Sequence, residues 1–228
     1  MKHAGKAQQA ALRLVFLSLF AVAVLLAVGF LAKIVAAFVL GLSSVLVALW
    51  IGFAAFTLYF FRDPEPRVPA GAGLVVSPAH AKVDAIETAV ESDFMGGECQ
   101  RISMFLSVFD VHVQNAPVAG QVARVKHTPG QYLNAMKSES AQFNENVLIG
   151  FEGSDPPGEK VGVRLIAGLL ARRIIPWVEV GDRPARGERI SLIQFGSRAD
   201  VYLPKRAKIK VKLGDKVVGG ETVLAVFE

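Results

Sequence analysis

Cysteine is almost absent from this chain. Cys99 is the only cysteine in 228 residues, which excludes an internal disulfide and a zinc site built from cysteines alone. This composition is typical of a reducing compartment. Aromatic residues interleaved with basic ones, the pattern of single-strand binding surfaces, are also lacking, so we expect no nucleic-acid partner. The four histidines match no metal-ligand spacing, and we expect no metal site.

Charged residues are missing from two long apolar segments near the N-terminus. The first runs from Leu14 to Ala32 and the second from Ile34 to Phe61, with Lys33 between them. A bilayer core is spanned by about 20 apolar residues, and both segments are close to or above that length. We therefore predict that residues 1–61 are a membrane anchor, a hairpin of two hydrophobic helices with a turn around Lys33. A re-entrant hairpin that does not fully cross is the alternative.

Basic residues flank both outer ends of this predicted hairpin. Lys2, Lys6 and Arg13 precede it, and Arg62 and Arg67 follow it. Cytoplasmic flanks of membrane helices are enriched in Lys and Arg, so both ends are expected in the cytoplasm. The remaining chain is then placed on the cytoplasmic side of the cell membrane. The formal charge of +5 favours an anionic membrane surface as its partner.

The sequence changes character after the anchor. Three prolines fall within residues 62–69, which excludes a helix there, and we assign residues 62–70 to a linker. Residues 71–228 contain short β-branched runs separated by Gly, Pro and Asp. This spacing predicts a mostly β domain, a barrel or a sandwich.

One internal repeat supports that architecture. Residues 180–188 read VGDRPARGE and residues 213–221 read LGDKVVGGE. The shared Gly-Asp pair suits a tight turn, because Gly accepts positive φ and Asp bonds back to its own backbone. Two such turns predict pseudo-symmetric halves, a pattern that resembles the biotinyl/lipoyl-type β-sandwich. Neither turn carries the Met-Lys-Met motif, or a similar lysine, that receives biotin or lipoate, which weakens an adaptor function.

The segment around Ser197 carries the most specific motif. Residues 195–198 read FGSR and residues 200–204 read DVYLP. Upstream lie FRDP at 61–64, SPA at 77–79, FLSVFDVHV at 105–113 and ARRIIPW at 171–177. These motifs, in this order, resemble the short-form phosphatidylserine decarboxylases, from about residue 61 to the C-terminus.

The resemblance implies a self-cleaving proenzyme. The Ser197 hydroxyl would attack the Gly196 carbonyl and cut the chain between them, giving a β chain up to Gly196 and an α chain from position 197. Ser197 would become a pyruvoyl group, the covalent cofactor. That group would serve as the electron sink when phosphatidylserine loses carbon dioxide to give phosphatidylethanolamine. The partners implied are phosphatidylserine in an anionic membrane and the two chains themselves; a homo-oligomer is compatible with the sequence.

Three further residues are candidates for the catalytic site. His112 aligns with a functional histidine of the family, and an imidazole suits both base and proton-donor roles. Asp110 alternates with His112 along a strand-like run, and it either orients the imidazole or only caps a turn. His80 departs from the family, which usually has Ser-Pro-Ala-Asp-Gly where this chain has Ser-Pro-Ala-His-Ala.

The departure at His80 leaves several outcomes open. His80 acts as a base itself, Asp84 or Asp110 takes over from the missing acid, or maturation is impaired. The last outcome gives the alternative function, an uncut family member with a structural or lipid-binding role. Three arginines, Arg172, Arg173 and Arg198, are candidates to meet the lipid phosphate.

Overall fold

The N-terminal helix is much longer than a single membrane span. A computed structural model describes residues 6–134, 141–169, 173–194 and 197–227, with side chains from residue 12 onward. Helix α1 runs from Lys6 to Phe60 without interruption. The turn expected around Lys33 is therefore absent from this structure. No proline or polar cluster interrupts the apolar residues on either side of Lys33, so local sequence gives the helix no reason to end.

The chain divides into two compact units, and the division falls inside α1. The first unit ends at Thr57 and the second begins at Leu58. The last turn of the helix thus belongs with the β-rich unit. Residues 62–70 have no regular secondary structure, yet they are held down: Arg189 pairs with Asp63 at 2.7 Å and with Glu65 at 3.0 Å.

The second unit is mostly β, as the sequence predicted. Its strands are β1 (Leu74–Val76), β2 (Ala81–Glu91), β3 (Gly97–Leu106), β4 (Val113–Asn115), β5 (Gly120–Thr128), β6 (Asn146–Ser154), β7 (Pro157–Ala167), β8 (Ile174–Pro176), β9 (Arg189–Ile193), β10 (Ser197–Leu203), β11 (Lys208–Ile209), β12 (Lys216–Val217) and β13 (Val223–Val226). A seven-stranded sheet has the order β12-β2-β3-β10-β7-β6-β5, and two three-stranded sheets have the orders β1-β13-β11 and β4-β9-β8. All the described pairings are antiparallel within these sheets.

Strand β10 lies at the centre of the large sheet. It pairs along its length with β3 on one side and β7 on the other, and every one of its residues is buried. Side chains alternate between the two faces of a strand. Ala199, Val201 and Leu203 accordingly join the main hydrophobic core, whereas Tyr202 joins the smaller cluster with Phe94 and Cys99.

The internal repeat is a structural repeat. In the first copy Gly181 has φ 104° and the Asp182 carboxylate accepts a hydrogen bond from the Glu179 amide at 2.8 Å. In the second copy Gly214 has φ 90° and Asp215 accepts from the Lys212 amide at the same distance. Each glycine amide then bonds a long strand beside its bulge, β5 at Val122 and β2 at Val83 respectively, both at 2.8 Å. Equivalent turns therefore brace equivalent strands, as expected for pseudo-symmetric halves.

Candidate active site

Ser197 is the first residue of β10 and is completely buried. It lies opposite Leu106, the last residue of β3, and opposite Ala167, the last residue of β7. Its exposed fraction is 0%, and its Oγ has no hydrogen-bond partner within the described part of the chain. A buried hydroxyl without a partner costs free energy, so this side chain does not stabilise the fold through its oxygen. The scissile partner predicted for it, Gly196, lies outside the described residues.

His112 lies in the segment that connects β3 to β4 and is 1% exposed. Its Nδ1 is 2.9 Å from the Asp110 carbonyl oxygen. A carbonyl oxygen only accepts, so Nδ1 carries the proton and Nε2 carries the lone pair. The His112 carbonyl accepts from the Gln114 side chain at 2.6 Å and from the Ile193 amide at 3.1 Å. The ring is therefore fixed in the tautomer that a general base needs at Nε2.

The fold brings Ser197 and His112 to the same end of the sheet. The segment leading to His112 leaves β3 at Leu106, which is the register partner of Ser197. On the other side, Ile193 ends β9 one residue before the described chain stops at 194, and its amide donates to the His112 carbonyl. The chain that leads to the predicted cut is thus tied to the histidine segment, and Ser197 pairs with the residue from which that segment leaves β3.

A phenyl ring covers the imidazole of His112. The Phe60 ring stacks on it with centroids 4.2 Å apart and an interplanar angle of 29°. Burial is the main cause that lowers the His112 pKa, to about 4; the Asp110 carbonyl opposes this shift and the Arg62 guanidinium adds to it. His112 is therefore neutral at physiological pH, the form that can accept a proton.

Asp110 has two separate functions in this segment. Its carbonyl accepts the hydrogen bond from His112, whereas its carboxylate accepts one from the Ser107 amide at 2.8 Å. The sequence left orientation of the ring and capping of a turn as alternatives for Asp110, and in the structure its carboxylate contacts the turn. The orienting atom belongs to the main chain, not to the carboxylate.

His80 is half-buried, and the charges of Asp110 and Arg62 act on it. Burial lowers its pKa, the Asp110 and Glu221 carboxylates raise it, and Arg62 lowers it. The ring packs against Gly219, where an added Cβ would lie 3.1 Å from the His80 Cδ2. Asp110 and Arg62 therefore act electrostatically on His80, and Arg62 acts on both histidines.

The pair Arg198–Asp84 was not predicted from the sequence. The guanidinium is 1% exposed and its Nη2 lies 2.7 Å from the Asp84 carboxylate, whose side chain is 32% exposed. Arg198 was a candidate for the lipid phosphate, and Asp84 was a candidate to replace the acid at position 80. In the structure they bind each other across strand β3. Arg172, another phosphate candidate, lies outside the described residues.

A polar cavity occupies the other face of the large sheet. It has a volume of about 290 Å³, and Arg164, Tyr202 and Lys126 contribute to its lining. Tyr202 and Ser197 are five positions apart on one strand, so their side chains point to opposite faces. The cavity is therefore separate from Ser197. No group of three His, Cys, Asp or Glu that could hold a metal ion occurs within the described ranges.

Comparison with known proteins gives consistent matches. The family described as "Phosphatidylserine decarboxylase" matches residues 53–225. The chain is 44% identical over 181 residues to a phosphatidylserine decarboxylase proenzyme of Desulfotalea psychrophila, covering 79% of this chain and 84% of that protein. It is 45% identical over 177 residues to the proenzyme of Symbiobacterium thermophilum, covering 78% and 81%. A third, from Syntrophus aciditrophicus, is 40% identical over 212 residues, covering 93% and 94%.

Proposed function

The chain belongs to the phosphatidylserine decarboxylase family, and on that premise we propose that it cuts itself between Gly196 and Ser197 and then decarboxylates phosphatidylserine to phosphatidylethanolamine. The observation that carries the proposal is the buried hydroxyl of Ser197 at the start of the central strand, which has no hydrogen-bond partner among the described residues. The alternative of an uncut structural protein has no observation in its favour.

Self-cleavage needs a base for the serine hydroxyl. We assign this step to neutral His112, whose lone pair is at Nε2. The Ser197 oxygen bonds to the carbonyl carbon of residue 196, the peptide C–N bond breaks, and the nitrogen takes up the proton, which leaves an ester. Removal of the Cα proton of residue 197 then breaks the Cβ–O bond and releases the new carboxylate of Gly196. Addition of water and loss of ammonia complete the pyruvoyl group.

The position of Ser197 fits such a group. When present, it supplies a ketone that can bond the amine of phosphatidylserine and take up the electron pair left by departing carbon dioxide. Leu106 and Ala167 hold the backbone of residue 197 from both sides, so the reacting carbon stays in place after the cut. His112, covered by Phe60, moves protons at Nε2 in a site protected from water.

The two chains stay together without a peptide bond. Strand β10, at the start of the α chain, pairs with β3 over seven positions and with β7 over six. Both neighbours belong to the β chain. The sheet therefore links the products of cleavage through two continuous ladders, and the Arg198–Asp84 ion pair adds a side-chain link at the new N-terminus.

The apolar helix of the anchor is much longer than a bilayer is thick. Within the described residues, one helix, Leu12–Phe60, is long and apolar enough to cross a membrane. Its 49 residues extend about 74 Å at ~1.5 Å per residue, more than twice the ~30 Å core of a bilayer. A straight helix that crosses once would leave more than half of its apolar side chains outside the bilayer core. We therefore expect it to bend in a bilayer near Lys33, the only charged residue between Arg13 and Arg62, with both ends cytoplasmic.

Labelling of single cysteines tests this topology. Cys99 is replaced by alanine, and Lys6→Cys, Lys33→Cys and Arg67→Cys are compared in intact cells and in opened vesicles. We expect positions 6 and 67 to be labelled only from the cytoplasmic side. Label reaching 6 and 67 from opposite sides would contradict the expected topology.

Intact mass and product formation test the function. The full chain is purified in detergent beside its Ser197→Ala variant, and both are given phosphatidylserine labelled in the serine carboxyl group. We expect two chains with a pyruvoyl-blocked α chain and release of labelled carbon dioxide from the wild type, and one uncut, inactive chain from the variant. An uncut wild type, or decarboxylation by Ser197→Ala, would refute the proposal.

A further inference from the structure

The last turn of α1 differs from the rest of the helix. Among helix residues 12–60, Phe60 is the only one that is fully buried. The division into compact units places residues from Leu58 onward with the β-rich unit. The buried Phe60 ring stacks on the His112 imidazole with ring centroids 4.2 Å apart, and it contacts the Phe61 ring edge to face with centroids 5.0 Å apart. This turn is therefore packed as part of the catalytic domain.

Arg62 fastens the same turn to the segment that carries His112. Its Nη1 donates to the Tyr59 carbonyl at 2.8 Å and its Nη2 donates to the Phe109 carbonyl at 2.7 Å. The Tyr59 hydroxyl donates to the same Phe109 carbonyl at 3.2 Å, and the guanidinium lies 4.0 Å from the centre of the Tyr59 ring. Two donors from the end of the anchor thus hold one carbonyl three residues before His112.

We propose that Phe60 and Arg62 are positioning residues for His112, so that the end of the membrane anchor completes the active site as well as tethering it. The proposal rests on the function proposed above, in which His112 is the base. Phe60 holds the imidazole plane and excludes water from one of its faces. Arg62 fixes the position of the Phe109–His112 segment relative to the helix end.

The charges around His112 give this arrangement a measurable consequence. The groups that act on it are the Arg62 guanidinium at the helix end and the Asp110 main-chain carbonyl in its own segment. Half-buried His80 is acted on by the charges of Arg62, Asp110 and Glu221. Loss of the Phe60 ring admits water to one face of the imidazole and weakens burial, the main cause of its lowered pKa. Loss of the Arg62 charge acts in the same direction.

The primary test is a histidine titration in the full-length chain. Ser197→Ala keeps the chain uncut, and NMR of histidine-labelled protein in detergent follows the four imidazoles, with His112→Gln used for assignment. We expect His112 to titrate at about 4 with Phe60 present and to move toward ~6.5, the ordinary value for histidine, in Phe60→Ala. Phe53→Ala is the matched control, because Phe53 lies two turns earlier on the same helix and is 66% exposed.

A second readout is the rate of self-cleavage of the otherwise wild-type chain. Pulse-translated precursor is transferred to buffers at pH 5.5 and pH 8.0. With a pKa of 4, about 97% of His112 is neutral at pH 5.5, compared with about 9% for a pKa of 6.5. We therefore expect the cleavage rate at pH 5.5, divided by the rate at pH 8.0, to fall about tenfold in Phe60→Ala. The ratio should fall less in Phe60→Leu and Arg62→Gln, and not at all in Phe53→Ala.

The outcomes separate the inference from the proposed function. An unchanged His112 titration in Phe60→Ala, or an equal loss of rate at both pH values, would overturn the positioning role. If the wild type never cuts itself, the proposed function fails, and the titration still decides whether the helix end controls His112. If Phe60→Ala does not fold, Phe60→Leu carries the same comparison with a smaller expected shift.

Discussion

Ser197 should make the precursor less stable than it would be with alanine at the same position. The hydroxyl is completely buried and has no partner within the described residues. An unsatisfied buried hydroxyl costs about 1–3 kcal/mol. Ser197→Ala removes that cost and leaves only the small space of one oxygen atom. The substitution that abolishes cleavage should therefore raise the free energy of unfolding.

Wild-type chain cuts itself, so the comparison needs a background that stays uncut. His112→Leu removes the base and puts no acceptor near Ser197, with little change in side-chain volume. We compare thermal unfolding of His112→Leu with that of His112→Leu/Ser197→Ala in the same detergent. A gain of about 1–2 kcal/mol corresponds to a rise in Tm of roughly 2–8 °C for a domain of this size. An equal or lower Tm for the double variant would show that the hydroxyl has a good partner and that the energetic argument is wrong.

Three further predictions concern the groups around Ser197. The stability of the Ser197→Ala chain should be highest above pH 6.5 and fall as the pH drops toward 4, by up to about 3 kcal/mol, because unfolded His112 takes up a proton that the folded site refuses; a flat profile of Tm against pH would contradict this. Arg198→Met should lower the Tm of the same chain more than Asp84→Asn, because the guanidinium is 1% exposed and the carboxylate 32%, with a cost of about 1–3 kcal/mol; equal effects would show that burial is not the deciding factor. His80→Asp should shorten the half-life of the precursor in cell-free translation, because a carboxylate favours protonated His112; slower cutting would show that the histidine at this position is itself productive.

Much of this architecture could be predicted because local rules determine it. The repeated Gly-Asp turns appear in the sequence as the same pattern twice. In the structure each turn has the same internal hydrogen bond, and each glycine amide bonds an equivalent strand, β5 or β2. The short β-branched runs also became strands of one domain. Such features depend on turn chemistry and strand pattern, which sequence displays directly.

The contacts that surround His112 could not be predicted because they join distant segments. Phe60 reads as one more apolar residue of an anchor, and nothing in its neighbourhood indicates that its ring is buried against an imidazole 52 positions later. Arg198 and Asp84 are 114 positions apart, and each had a reasonable local interpretation. The continuous helix is the opposite case: the sequence predicts a turn at Lys33, whereas α1 runs through it. A single lysine does not end a helix by its own propensity, and the expected bend depends on the thickness of a bilayer.

The histidine at position 80 is tolerable because the structure orients His112 by other means. The family resemblance assigns an aspartate there to support the catalytic histidine. Support from a side chain is lost when that residue is substituted, as it is at position 80. In this chain the Nδ1 proton is held by the main-chain carbonyl of Asp110, which every residue at position 110 would supply. The tautomer that leaves Nε2 as the base is therefore independent of position 80. His80 cannot supply a countercharge for protonated His112. We propose Asp110 for that role, because its carboxylate acts on His80. Asp110→Asn tests this division: it should keep the tautomer and slow self-cleavage, whereas an unchanged rate would show that main-chain orientation alone is sufficient.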